Sequence, residues 1–216
     1  MAGIDHRWSS LGGYTALVLR ALIVGIAVIG LTVEAPQGRQ APLPKWASHS
    51  LIPVWIDART SPPGAEVLVE RALTTWTRAA GGRFSLRKAT SRDAGLIRVF
   101  FARADGIYGE TAPRIDRSTG LIGSAEVLIA GDIAGDAIQQ RIVIYLTALH
   151  ELGHALGLPH TDVFDDIMYS FRRPDDGERY FGSYRRRLTS SDDIGGERAT
   201  GLSAADVAAL QNLYDR

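Results

Sequence analysis

The sequence contains no cysteine among its 216 residues. This absence excludes disulfide bridges, cysteine-ligated zinc, iron–sulfur clusters and thiol nucleophiles. Net charge is also absent, because 24 basic residues balance 24 acidic ones, and this balance gives no support to a nucleic-acid partner. Histidine is scarce: the chain has five, and three of them lie within one stretch of eleven residues. The remaining composition, with 45% apolar residues, is that of an ordinary globular domain.

The amino-terminal part of the chain contains an uncharged apolar run at 21–33, preceded by Arg20. A basic residue followed by such a run is typical of a secretory signal, and Ala35 offers a small residue at a cleavage site. Counted as one segment, 14–33 is instead long enough for an uncleaved membrane anchor, and a buried core helix is a third alternative. We therefore expect the folded domain to be secreted, or anchored to a membrane outside the cytoplasm through this segment alone.

A proline-rich stretch follows the apolar run. Residues 34–48 contain Pro36, Pro42 and Pro44, a composition typical of an extended and poorly packed linker. We therefore divide the chain into a signal peptide or membrane anchor at 1–35, a linker at 36–48 and a folded domain at 49–216.

Hydrophobic periodicity in the folded domain predicts an α+β (α/β-like) architecture with the strands mostly in the first half. Runs of apolar residues predict four strands, at 51–57, 84–88, 96–102 and 121–130. Three- and four-residue spacing predicts three helices, at 64–80, from an N-cap at Asp136 to Gly157, and after an N-cap at Ser203. Segments 103–120 and 161–201 are expected to be irregular.

One eleven-residue segment, HELGHALGLPH, carries most of the functional information. His150 and His154 are four residues apart, so on a helix they project from one face and can bind one zinc ion. Glu151 stands beside the first ligand, where a water molecule at the metal could lie. Gly157 permits a left-handed turn that ends the helix, and His160 can then supply the third ligand that a catalytic zinc site needs. A helix whose histidines are merely solvated or packed in a core is the alternative.

A second segment, DIMYS at 166–170, places Met168 eight residues after the last of these histidines. With the zinc motif, it resembles the methionine turn of the metzincin zinc proteases. Within that group the chain resembles the matrixins, the matrix-metalloproteinase-like family. The residues that carry this closer resemblance are Thr161, Tyr169, the segment VWIDART at 54–60 and the segment LSAADV at 202–207.

The resemblance implies the zincin fold of that family, a twisted and mostly parallel sheet with a long active-site helix and a C-terminal helix. It implies that 49–216 is a matrixin-like catalytic domain, a zinc-dependent endopeptidase that hydrolyses protein or peptide substrates. His150, His154 and His160 would hold one catalytic Zn²⁺, and Glu151 would act as general base toward water. Met168 would lie beneath the metal without binding it.

Substrate contacts are also implied by the resemblance. Matrixins pair an extended substrate with an edge strand above the cleft, and the best match is 121–130. Tyr169 would begin the wall beside the primary specificity pocket. The substrate-binding candidates in the expected edge strand are Ser124, Ala125, Glu126 and Val127.

The chain departs from animal matrixins in three respects. Residues 103–130 contain no histidine, so we predict no second, structural zinc site. The absence of cysteine excludes the thiol that caps the catalytic zinc in the pro-segments of those enzymes. Ser170 stands where astacins and serralysins have a tyrosine ligand, so we assign no tyrosine to the metal.

Several questions stay open at the level of sequence. Calcium is common in matrixins, and the aspartates in plausible loops are Asp105, Asp116, Asp132 and Asp136, but their spacing is not that of an EF-hand. We expect a monomer. Two other functions remain as alternatives: a zinc-containing binding module without catalysis, against which Glu151 argues, and a surface domain anchored by residues 14–33, which leaves the zinc motif unexplained.

Overall fold

The described part of the chain, residues 42–103 and 106–215 of the computed structural model, forms one five-stranded sheet and four α-helices. This is the α+β architecture expected from the sequence. The predicted signal or anchor at 1–35, the first part of the linker and Asp105 lie outside the described residues. Within the described ranges, no helix is both long enough and apolar enough to cross a bilayer.

The sheet has the strand order β2-β1-β3-β5-β4. Its strands are β1 (Ser50–Ile56), β2 (Phe84–Lys88), β3 (Ile97–Ala102), β4 (Gly109–Ile115) and β5 (Ile122–Ala130). Strands β1, β2, β3 and β5 run parallel, and β4 is antiparallel to β5. Along β1 the alternate residues Ile52, Val54 and Ile56 are buried, because successive side chains of a strand point to opposite faces.

The four helices are α1 (Ala65–Ala80), α2 (Ala137–Ala155), α3 (Asp176–Arg185) and α4 (Ala204–Tyr214). Helix α2 begins as predicted, since the side chain of Asp136 accepts a hydrogen bond from the Gln139 amide at 2.8 Å. Every residue from 142 to 153 is buried, so this part of the helix is buried all round and runs through the core. Its last turns therefore bring any polar side chain they carry into the interior.

The expected position of the edge strand is wrong. Strand β5, which corresponds to the predicted strand at 121–130, lies between β3 and β4 and is not at an edge. Ala125, Glu126 and Val127 each have register partners in both neighbouring strands, and Ser124 is paired with Arg114 of β4. The edge is β4, which falls in the segment 103–120 that was expected to be irregular. Its sequence, GETAPRI, contains Gly and Pro, and its pairing with β5 outweighs this weak local preference.

A second element was also missed, because α3 lies inside the segment 161–201 that was expected to be irregular. Two glycines and several charged residues weaken the helical pattern of α3. The helix buries Tyr180, Phe181 and Tyr184 on one face, and this packing supplies the stability that its local sequence lacks.

The packed domain begins earlier than residue 49. Trp46 is only 3% exposed, and its indole Nε1 donates a 2.8 Å hydrogen bond to the carbonyl of Ala155. The carbonyl of Lys45 accepts a hydrogen bond from the amide of Ile122 at 2.8 Å. The described end of the predicted linker is therefore part of the fold, because one buried tryptophan outweighs the extended preference of the neighbouring prolines.

Candidate functional site

The three histidines of the eleven-residue segment meet at the carboxyl end of α2. His150 and His154 lie on this helix, which ends at Ala155. Gly157 follows with a φ of +96°, a conformation that glycine adopts without strain. The amide of Leu158 then bonds back to the carbonyl of Gly153 at 3.0 Å, so the chain turns sharply. This turn returns His160 to the face that carries the other two histidines.

The arrangement of the imidazoles fits a zinc ion. The Nε2 atoms of His154 and His160 are 3.1 Å apart, and one ring nitrogen from each of the three histidines lies within 4.8 Å of the others. Two ligand nitrogens of a tetrahedral zinc site lie roughly 3.3 Å apart, since each Zn–N distance is about 2.0–2.1 Å. Within residues 42–103 and 106–215, these histidines are the one group of three or more side chains that could hold a metal ion.

Hydrogen bonds from the opposite ring nitrogens fix the orientation of two of these ligands. His150 donates through Nδ1 to the carbonyl of Ile167 at 2.6 Å, and His154 donates through Nδ1 to the carbonyl of Leu158 at 2.9 Å. A carbonyl oxygen can only accept, so in both rings the proton is on Nδ1 and the Nε2 lone pair faces the metal position.

Burial keeps the histidines neutral, which is the form that binds metal. It lowers the pKa of His150 well below its usual range, and the neighbouring His154 and His160 add to this shift. Burial and the proximity of His160 lower the pKa of His154 to about 4. The pKa of His160 is also lowered by burial. At neutral pH all three rings are therefore uncharged.

Glu151 is the buried carboxylate of the site, with 2% of its surface exposed. Its Oε2 accepts a hydrogen bond from the hydroxyl of Thr111 at 2.7 Å. Burial raises the pKa of this carboxyl to about 8, and the hydrogen bond from Thr111 opposes the rise. A divalent cation held by the adjacent histidines would favour the charged form, because bound metal ions dominate the local electrostatics.

Met168 lies against α2 between the first two histidines. It is 2% exposed, and its Sδ contacts Gly153 so closely that a side chain at that glycine would clash with the sulfur. The next residue, Tyr169, is 8% exposed and its hydroxyl donates to Asp176 at 2.9 Å. Tyr169 also packs edge-on against Phe164. The methionine therefore packs against α2, and the tyrosine packs within an aromatic cluster.

Sequence reasoning missed three residues that surround the site. Thr111 and Gly109 on β4 contact Glu151, and nothing local marked them because their segment was expected to be irregular. Asp206, the third, is at the start of α4, where its carboxylate completes a capping box with the N-cap Ser203. Its carboxylate also accepts a 2.9 Å hydrogen bond from the amide of Ile167, the residue whose carbonyl orients His150.

Of the aspartates considered for calcium, the three that lie within the described residues have partners of other kinds. Asp116 accepts hydrogen bonds from Ser118, and Asp136 is paired with Arg185 as well as capping α2. Asp132 lies 3.4 Å from the guanidinium of Arg103. Nothing in these contacts supports a calcium site.

Comparison with known proteins identifies the family of the chain. Residues 58–196 match the family model of the matrixins. Rat (Rattus norvegicus) matrilysin is 26% identical over 186 residues, which is 80% of this chain and 60% of the relative. The Arabidopsis thaliana protein named metalloendoproteinase 5-MMP is 27% identical over 157 residues, which is 67% of this chain and 38% of the relative. Because the family model covers more than half of the sequence, the chain belongs to the matrixin family of zinc metalloendopeptidases.

Proposed function

We propose that this chain is a zinc-dependent endopeptidase that hydrolyses peptide bonds in protein substrates. One observation carries the proposal: three neutral imidazoles converge to within 4.8 Å beside the buried carboxylate of Glu151. Membership of the matrixins supports the general class of activity. The chain spans only part of the length of the relatives. We therefore infer its own activity and substrates from the site.

The chain's own residues divide the chemistry between them. His150, His154 and His160 would hold one Zn²⁺, and the carbonyls of Ile167 and Leu158 keep two of these rings oriented. Zinc, when bound, supplies a Lewis acid that polarises the substrate carbonyl and makes water a better nucleophile. Glu151 accepts the proton of the attacking water and delivers it to the leaving amine. No side chain forms a covalent bond to the substrate.

The substrate would lie along β4 and not along β5. The backbone of β4 pairs with β5 on one side, and its other side is the edge of the sheet. Gly109 and Thr111 of this strand contact Glu151, so an extended peptide added to this edge would pass beside the general base. Pro113 lacks an amide hydrogen, which limits the pairing to part of the strand.

The proposed location of the enzyme is outside the cytoplasm. The apolar run at 21–33, preceded by Arg20, supports secretion or membrane anchoring. Immunodetection of the full chain in culture medium, cytosol and carbonate-washed membranes tests this: we expect it in the medium or the washed membranes. A protein confined to the cytosol would contradict the proposal.

Zinc binding and hydrolysis by the purified full chain test the proposed function together. We expect one zinc ion per chain, cleavage of casein, loss of cleavage with a chelator and recovery when zinc is restored. His160→Ala should lose zinc and cleavage. His49→Ala, which removes an exposed imidazole hydrogen-bonded to the carbonyl of Gly82, should retain both. A wild-type chain that binds one zinc ion but cleaves nothing would indicate a zinc-binding module without catalysis.

A further inference from the structure

We propose that Thr111 is a positioning residue that, with Gly109, holds the carboxylate of Glu151 in a fixed orientation. Both residues lie on the inward face of the edge strand β4, since they are two positions apart in a strand. The inference rests on the proposed function, because it assigns to these residues a role in the reaction that Glu151 serves.

The hydroxyl of Thr111 makes two contacts with Glu151. Its Oγ1 lies 2.7 Å from Oε2 of the carboxylate and 2.9 Å from the main-chain carbonyl oxygen of the same residue. The hydroxyl has a single hydrogen, which these two oxygens share. Thr111 is 8% exposed and Glu151 is 2% exposed, so water does not compete for it. A hydrogen bond to a charged group in such surroundings is stronger than one at the surface, and it restrains the group more tightly.

Gly109 bounds the other side of the same carboxylate. A Cβ atom at this position would lie 2.8 Å from Oε1 and 2.7 Å from Cγ of Glu151. It would also lie 2.7 Å from Cγ2 of Thr147, one helical turn before Glu151. Glycine therefore lets β4 approach α2 closely enough for Thr111 to reach Oε2. One carboxylate oxygen is held by a hydroxyl, and the other rests against a bare Cα.

The contacts of Thr111 and Gly109 with the carboxylate of Glu151 have a consequence for catalysis. A free glutamate carboxylate rotates about its last side-chain bonds, and a general base is effective only when it stays within hydrogen-bond reach of the proton it takes. The contacts with β4 remove that rotation before substrate arrives, which is a form of preorganisation. A purely structural hydrogen bond between β4 and α2 would instead contribute to stability and leave the rate of the chemical step unchanged.

Two substitutions at Thr111 and one elsewhere separate these roles in the zinc-loaded full chain. Thr111→Val replaces the hydroxyl by a methyl group of the same size and suits a strand, and Thr111→Ser restores the hydroxyl. Thr75→Val is the matched control, since Thr75 is also buried and shares a 3.1 Å hydrogen bond with Tyr145, which lies six residues before Glu151 on α2.

For casein-derived peptide substrates we expect Thr111→Val to lower kcat about 10-fold with KM within about twofold, a size typical of groups that orient a reacting residue. Thr111→Ser should recover kcat to within about threefold of wild type, and Thr75→Val should leave it unchanged. Zinc affinity, measured by competition with a chelator, should stay within about twofold in all three variants because none of them touches a histidine.

Three outcomes would overturn the role of Thr111. These are a Thr111→Val enzyme with wild-type kcat, a Thr111→Ser enzyme as slow as Thr111→Val, or a kcat for Thr75→Val that falls equally. If the wild-type zinc-loaded chain cleaves nothing, the proposed function itself fails and the positioning role fails with it. An active wild type that is insensitive to Thr111→Val rejects the positioning role alone.

Discussion

At the residue scale, burial sets the protonation of the site in two opposite directions. It lowers the pKa values of His150, His154 and His160 below their usual 6.5 and raises that of Glu151 from 4.5 to about 8. Both shifts favour the neutral form, because the interior penalises charge. The metal-free site is therefore a set of uncharged groups, and a bound cation would compensate for the charge on Glu151.

These shifts predict how the stability of the metal-free protein depends on pH. Below pH 6.5 the unfolded chain takes up protons on three histidines that remain neutral in the folded state, so the free energy of unfolding falls toward pH 4. Between pH 4.5 and about 8 the folded state keeps the proton of Glu151 that the unfolded chain has already lost, so this group lowers stability as pH rises. Above pH 6.5 the histidines no longer oppose this effect, so stability falls again until about pH 8 and then levels off. We expect urea unfolding to show greatest stability near pH 6.5.

Glu151→Gln separates the contribution of Glu151 to this pH dependence from that of the histidines in the same measurement. This variant should lose the decline above pH 6.5 and retain the decline toward pH 4. An equal alkaline decline in wild type and variant would show that Glu151 is not the group responsible.

A hydrogen bond that involves no metal ligand directly should also affect zinc binding. Asp206 accepts from the amide of Ile167 at 2.9 Å, and the carbonyl of Ile167 orients His150. We expect Asp206→Ala to weaken zinc binding about 10-fold, since groups that orient metal ligands have effects of this size. Competition with a chelator measures the change.

The chain offers a matched control for this substitution. Asp193 caps the short turn Ser191–Asp193 with the same Ser–Asp capping box that Asp206 forms at α4. Asp193→Ala should lower stability through the lost cap without changing zinc affinity. Equal zinc affinities for Asp206→Ala and wild type would refute the link through Ile167.

At the element scale, the end of α2 decides whether the third histidine can reach the metal. Gly157 has a φ of +96°, and a side chain there would clash with the carbonyl oxygen of Pro44. Gly157→Ala should lower the free energy of unfolding by about 3 kcal/mol or more, because backbone strain and the clash add together. Denaturant unfolding of the metal-free protein tests this.

Gly120→Ala isolates the backbone contribution. Gly120 has a φ of +73°, and no atom lies within 4 Å of the position of its missing side chain. This variant should lose only about 1–2 kcal/mol, the cost of a left-handed conformation. Similar losses for both substitutions would mean that Pro44 yields easily and that the end of α2 is not closely packed.

The same element shows which parts of the structure the sequence could predict. The cap at Asp136 and the turn at Gly157 were predicted because each is a local signal at a helix end. Spacing alone likewise grouped His150, His154 and His160. Thr111 could not be placed beside Glu151 because 40 residues separate them, and β4 exists only through its pairing with β5. Strand β4 and helix α3 both depend on contacts that no short window of sequence contains.

At the scale of the whole molecule, both ends of the described chain meet at the carboxyl end of α2. The Nζ atom of Lys45 donates to the carbonyl of Leu213 at 3.1 Å. The hydroxyl of Tyr214 donates to the carbonyl of Leu156 at 3.0 Å. The bonds from Trp46 to Ala155 and from Tyr214 to Leu156 satisfy two carbonyls at the end of α2 that would otherwise be buried without partners. The fold as a whole therefore supports the last turn of the active-site helix.

The most direct test of the central claim is casein hydrolysis by zinc-loaded Glu151→Gln, compared with wild type at equal zinc content. Glutamine keeps the shape of the side chain but cannot accept a proton from water at neutral pH. We expect the variant to bind one zinc ion and to lose hydrolysis by at least about 100-fold, the usual contribution of a general base. A variant that binds zinc and retains wild-type hydrolysis would contradict the assignment of Glu151 and the proposed mechanism.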